Sequence, residues 1–127
     1  MTQPQTSPPQ DVLTIERRGE ITIVTAHPEL ETTGEGLEET AAEILIEPLQ
    51  REMEPVVIFD LGGVNYFGSV FLAILIRCWK IIRANSGTMV LAGVSKHARE
   101  LLHVTSLDQA WPIYDSRREA IEALTGD

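Results

Sequence analysis

Polar and apolar residues alternate from Val12 to Glu16 (VLTIE) and again from Ile21 to Thr25 (ITIVT), with RRGE between them. Two alternating runs around a glycine turn predict an antiparallel hairpin. The period then lengthens. Leu37, Ala41, Ile44, Leu45 and Leu49 fall near helical spacing with acidic residues interleaved, which predicts a helix with one buried face. Thr32 and Glu35 stand at capping-box spacing ahead of it, and Pro48 is expected to interrupt it near its end. Val56 to Phe59 is apolar without alternation, as in a central strand covered on both faces. A long, mostly apolar helix is expected from Ser69 to Ile82, with Arg77, Lys80 and Arg83 forming one basic edge. Asn85, Ser86 and Gly87 end it, with Gly87 in the left-handed cap position. Met89 to Ala92 is a second buried strand. Ser95 caps a helix carrying Ala98, Leu101, Leu102 and Thr105 on one face. The segment 110–114 (AWPIY) is a short strand, held to a sheet edge by Pro112. Ser116 and Glu119 form a second capping box, opening a last helix that packs Ala120, Ile121 and Leu124. The order β-β-α-β-α-β-α-β-α gives an α/β fold with a mixed, mostly parallel sheet of about five strands flanked by helices.

Composition narrows this picture without redirecting it. The 127 residues suit one domain over 11–127, behind a polar, proline-rich stretch at 1–10 that reads as a disordered tail. That stretch lacks the basic and apolar regions of a signal peptide, and no apolar run is long enough to span a bilayer, so a cytoplasmic protein is expected. A net charge of −9 argues against a nucleic-acid partner and against an anionic membrane surface. The single cysteine, Cys78, rules out an intramolecular disulfide and reads as a small buried hydrophobe. His27, His97 and His103 form no zinc motif. Neither a metal nor a cofactor is called for.

The candidate chemistry lies where the central strand gives way to the long helix: VVIFD, then LGGVNYFG, then Ser69. Unpaired N–H groups and the positive end of a helix dipole suit a phosphate there. Ser69 is therefore a phosphorylation candidate, or alternatively an N-cap worth about 1 kcal/mol. Gly62, Gly63 and Gly68 permit tight turns, and the pattern lacks the lysine of a Walker loop. Asp60 closes the strand with no second acid near it, so a loop-capping carboxylate outweighs a metal ligand. Of Tyr66 and Phe67, one suits the core and the other a partner contact. His97 and His103 have no matched carboxylate or serine in the sequence, so no triad can be argued.

Three stretches carry a family resemblance. Residues 59–64 (FDLGGV) resemble the Asp-Leu-Ser-Gly-Val strand end of the STAS domains, the bacterial anti-sigma factor antagonists. Residues 66–72 (YFGSVFL) occupy the place of their phosphorylation loop, and residues 86–95 (SGTMVLAGVS) resemble the next strand and helix start. Weaker similarity at Pro28 to Leu30 and at Leu101 to Leu107 extends the match over most of 11–124. The family's loop usually reads Asp-Ser-Ser-Gly-Leu, with the second serine taking the phosphate. Here those places read Gly68, Ser69, Val70, Phe71 and Leu72, so the usual acceptor position is Val70 and only Ser69 offers a hydroxyl. The resemblance implies a non-enzymatic, partner-switching regulator of transcription. Its partner would be an anti-sigma factor serine kinase or a similar regulatory protein. Unphosphorylated antagonist would bind the kinase and free the sigma factor, and phosphorylation would break the complex. The partner-binding loop would comprise Asn65, Tyr66, Phe67, Gly68, Ser69 and Val70, supported by Asp60 and Gly63. Two alternatives stand beside this: an interaction module without phosphorylation control, and a small hydrolase using Ser69 or Asp60.

Overall fold

A computed structural model describes residues 12–31 and 36–126. The tail at 1–10 and the Thr32–Glu35 capping box lie outside the described residues. Strands β1 (Leu13–Arg18) and β2 (Ile21–Ala26) form the antiparallel hairpin, turned at Gly19 with φ 60°. β3 (Val56–Asp60), β4 (Thr88–Ala92) and β5 (Ile113–Tyr114) follow in parallel, so the sheet order is β1-β2-β3-β4-β5. The non-alternating strand β3 occupies the centre, as its sequence requires.

Strand alternation divides the core into two layers. Val24, Val57, Phe59 and Leu91 face the larger one, which the first four helices cover. Ile23, Ile58, Val90 and Ala92 face the smaller one, closed by Ala120, Ile121 and Leu124 of α5 (Arg117–Thr125). Edge strand β5 has only two residues, and the Pro112 carbonyl accepts from Leu91 N–H at 2.9 Å. Proline thus sits where no ladder donor is needed.

The first helical run begins as α1 (Leu37–Ala41), widens to π pairing over Ala42–Ile46, and ends as α2 (Glu47–Gln50). Pro48 does not break it. The wider turn ahead of Pro48 relieves the clash its ring would otherwise make with the preceding turn. The long helix α3 (Ser69–Ala84) stops in a Schellman arrangement: Gly87 N–H reaches Ile82 C=O at 2.8 Å and Ser86 N–H reaches Arg83 C=O at 3.0 Å. The left-handed residue there is Ser86, with φ 62°, rather than Gly87. Glycine is required at 87 for space, because a Cβ would lie 2.2 Å from the Pro55 carbonyl oxygen. Helix α4 (Lys96–Val104) completes the larger layer, burying Ala98 and Leu102.

Candidate functional site

The candidate site is the loop at the carboxyl end of β3, where open α/β sheets commonly place their binding crevices. Leu61 N–H continues the sheet by bonding Ala92 C=O at 2.8 Å, and Val64 N–H turns back to Leu61 C=O at 3.0 Å. Asp60 fixes this start. Its Oδ1 accepts Gly62 N–H at 3.0 Å and its Oδ2 accepts Arg117 Nε at 2.8 Å. The same guanidinium reaches Glu16 at 2.7 Å and Thr25 Oγ1 at 2.6 Å, tying α5 to the hairpin and to the loop. Asp60 is thereby engaged as a structural carboxylate. Among the described residues there is no group of three His, Cys, Asp or Glu side chains placed for a metal ion.

The three loop glycines do not adopt left-handed backbone; that conformation falls to Gly93 across the crevice, with φ 70°. A Cβ on Gly93 would lie 2.9 Å from Gly62 Cα, so the two backbones pass at a separation only glycine permits. A Cβ on Gly63 would make only ordinary contacts, 3.6 Å from the Ala26 carbonyl oxygen and 3.7 Å from Pro28 Cδ.

The middle of the loop is held at one residue, through the two successive peptides that flank it. Asn65 N–H donates to Glu31 Oε2 at 2.7 Å, and Asn65 C=O accepts from Ser95 Oγ at 2.6 Å. Past this clamp the side chains separate. Phe67 is buried and meets Phe71 edge-on with ring centroids 5.2 Å apart, whereas Tyr66 stays 54 % exposed. Gly68 is the N-cap of α3, with extended backbone and no side chain to offer the helix. Ser69 is consequently the first helical residue, not the cap, which corrects the N-cap alternative. It is exposed, and its hydroxyl makes no hydrogen bond among the described residues. Val70, beside it, is 38 % exposed.

Beside the loop lies an open groove lined by Tyr66 and by His97, Glu100, Leu101, His103 and Val104 of α4. Ser69 is not part of its lining. His103 does have a carboxylate, Asp108, at 3.0 Å, which sequence spacing did not reveal. Both histidines are exposed, and neither is bonded to a serine hydroxyl. Neither histidine therefore forms a nucleophile–base pair with Ser69. Cys78 lies in the core on the buried side of α3, and burial pushes its thiol from 9.0 up to about 12.

The STAS domain family model matches residues 3–120. This chain belongs to the STAS domain family. Among solved structures, an anti-sigma-factor antagonist (STAS) domain protein from Planctomyces limnophilus is 30 % identical, with a TM-score of 0.79 over 89 % of this chain and 97 % of that one. The anti-sigma factor antagonist SpoIIAA in its unphosphorylated form shares the fold at 16 % identity, with a TM-score of 0.76 over 91 % and 97 % of the two chains. A Bordetella bronchiseptica protein named "Putative anti-sigma factor antagonist BtrV" is 30 % identical over 68 residues, 54 % of this chain. That match spans 59 % of the BtrV length.

Three supports of the STAS loop escaped the sequence reading: Glu31, Ser95 as a donor to Asn65, and Arg117. Each acts over 30 or more residues of chain. No local pattern reports such a contact. Among the described residues no helix is long and apolar enough to cross a membrane.

Proposed function

We propose that this STAS domain is an anti-sigma factor antagonist, that it lands on its partner through Asn65 to Val70 and the first turn of α3, and that phosphate on Ser69 ends the association. The partner in this reading is an anti-sigma factor serine kinase of the bacterial cytoplasm, and the domain itself catalyses nothing. The exposed position of Ser69 in the first turn of an uncapped sixteen-residue helix carries the proposal. A phosphoserine brings about −1.5 to −2 charges. The helix N-terminus tolerates them, because its first N–H groups are unserved by any cap side chain. The fold would survive while the docking surface changed sign. Exposed Tyr66 and Val70 flank the hydroxyl and supply apolar contact area.

A second reading keeps the docking and removes the phosphate, and Val70 at the family's usual acceptor place favours it. Incubation with ATP and the serine-kinase anti-sigma factors of the same genome, followed by mass spectrometry, separates the two. Phosphate on Ser69, abolished by Ser69→Ala and accompanied by dissociation, supports the switch. Stable binding with no phosphate anywhere leaves the unregulated module. Binding to none of these kinases overturns both.

A further inference from the structure

Helix α3 carries Arg77, Lys80 and Arg83 and not one acidic residue, in a chain whose net charge is −9. All three cations are exposed. Elsewhere Arg18, Arg51 and Lys96, on separate elements, carry no ion pair among the described residues, and Arg17, Arg99, Arg117 and Arg118 each hold one. None of the three on α3 does so among the described residues. Arg83 is instead laid over the Trp79 ring at 5.0 Å, which orders its stem without neutralising its charge. At about 100° per residue, Ser69, Ala73, Arg77, Lys80 and Arg83 fall within one arc of about 120°. That arc lies opposite buried Phe71, Cys78 and Ile82. One face of a single helix therefore begins at the candidate phosphoacceptor and, from Arg77 to Arg83, carries about 9 Å of positive charge that no ion pair offsets among the described residues.

We propose that this face docks an acidic surface of the protein partner, so that the interface runs along α3 beyond the loop. The inference rests on the functional reading above and specifies the partner's chemistry. Charge complementarity selects the occupant, because ion pairs across an interface offset the mutual repulsion that a −9 chain would otherwise present to an acidic protein. It also accounts for the sign of the switch. Arg77 begins about 12 Å along the axis from Ser69, beyond the screening length of about 8 Å at physiological salt. Two turns further on, Arg77 is no i+3 or i+4 partner for a phosphate on Ser69, and that phosphate would add negative charge opposite the partner's acidic groups.

The test uses the full chain and the serine-kinase anti-sigma factor retained in the experiment above, with association and dissociation rates measured at low and high salt. Arg77→Glu with Lys80→Glu should slow association at low salt by about tenfold or more. The difference should shrink at high salt, with the thermal melt unchanged. Arg18→Glu with Arg118→Glu, an equal change in net charge on exposed residues of β1 and α5, should have a much smaller effect. The loss caused by Ser69→Asp should likewise shrink as salt rises. If the α3 reversal leaves the rates and their salt dependence unchanged while Ser69→Asp still releases the kinase, the acidic-partner inference is wrong and the functional reading stands. An equal effect of the two reversals reduces the stripe to bulk charge and also overturns it. If no kinase binds, the functional reading fails first and the inference with it.

Discussion

Three α-helices among the described residues begin at or beside a serine, and the structure uses those serines in two different ways. Ser95 and Ser116 are N-caps: each hydroxyl accepts a backbone N–H of its first turn at 3.1 Å, from Ala98 and Glu119 respectively. Ser69 stands one place further in, behind a glycine cap, and its hydroxyl serves nothing. A capping hydroxyl is part of the fold, and modifying it would strip the helix of its cap. An idle hydroxyl in the first turn can be modified at no structural cost. The comparison teaches that a serine at a helix mouth is a functional candidate only when another residue takes the capping position. Cys78 extends the contrast along α3. It lies half a turn out of phase with Ser69, so one nucleophilic atom of this helix faces water and the other the core.

The sharpest way to break this contrast is chemical. Alkylation requires thiolate. With its thiol raised to about 12, native Cys78 should react with iodoacetamide at mildly alkaline pH about a thousandfold more slowly than in denaturant. Mass spectrometry of timed samples checks this, and brisk native labelling would contradict the buried placement. The same shift has a sign in stability. The unfolded thiol ionises near 9.0 while the folded one stays protonated to about 12, so this group's contribution is intact below pH 9.0 and lost as pH rises above it.

Smaller effects separate the serines. Ser95→Ala should cost about 1–2 kcal/mol in urea unfolding, because it removes a cap and also the donor to Asn65 C=O. Ser116→Ala removes a cap alone and should cost about 1 kcal/mol. Ser69→Ala should fall within about 0.5 kcal/mol of wild type, as for a surface site without partners. A Ser69→Ala loss equal to that of Ser116→Ala would restore the capping role and weaken the phosphoacceptor reading.

Much of the fold was legible because each layer imposes its own period. Alternation marked β1 and β2, continuous apolarity marked β3, and Pro112 marked β5 as an edge. The Ser116–Glu119 spacing located α5, and Ser95 located α4, to the residue. The candidate site was legible only in outline. Its position at the end of β3 followed from the strand–loop–helix pattern, but the cap fell on Gly68, a shift of one residue that hydrophobic periodicity cannot resolve. Likewise the left-handed turn fell on Ser86, because a clash with Pro55 reserves Gly87 for space. Glu31, Ser95 and Arg117 became visible as loop supports only once tertiary contacts brought distant segments together.

The clamp on the Asn65 backbone has a consequence for how the molecule is read by others. Glu31 comes from the segment after β2 and Ser95 from the start of α4, on opposite sides of the loop in the chain. The two anchors coexist only once the hairpin, the central strand and the fourth helix have all docked. The loop is therefore a proof of assembly. A partial chain, a nascent chain or a locally unfolded molecule cannot display it in this shape. A partner that recognises the shape counts only finished copies, and meets them with the loop's ordering entropy already spent in folding.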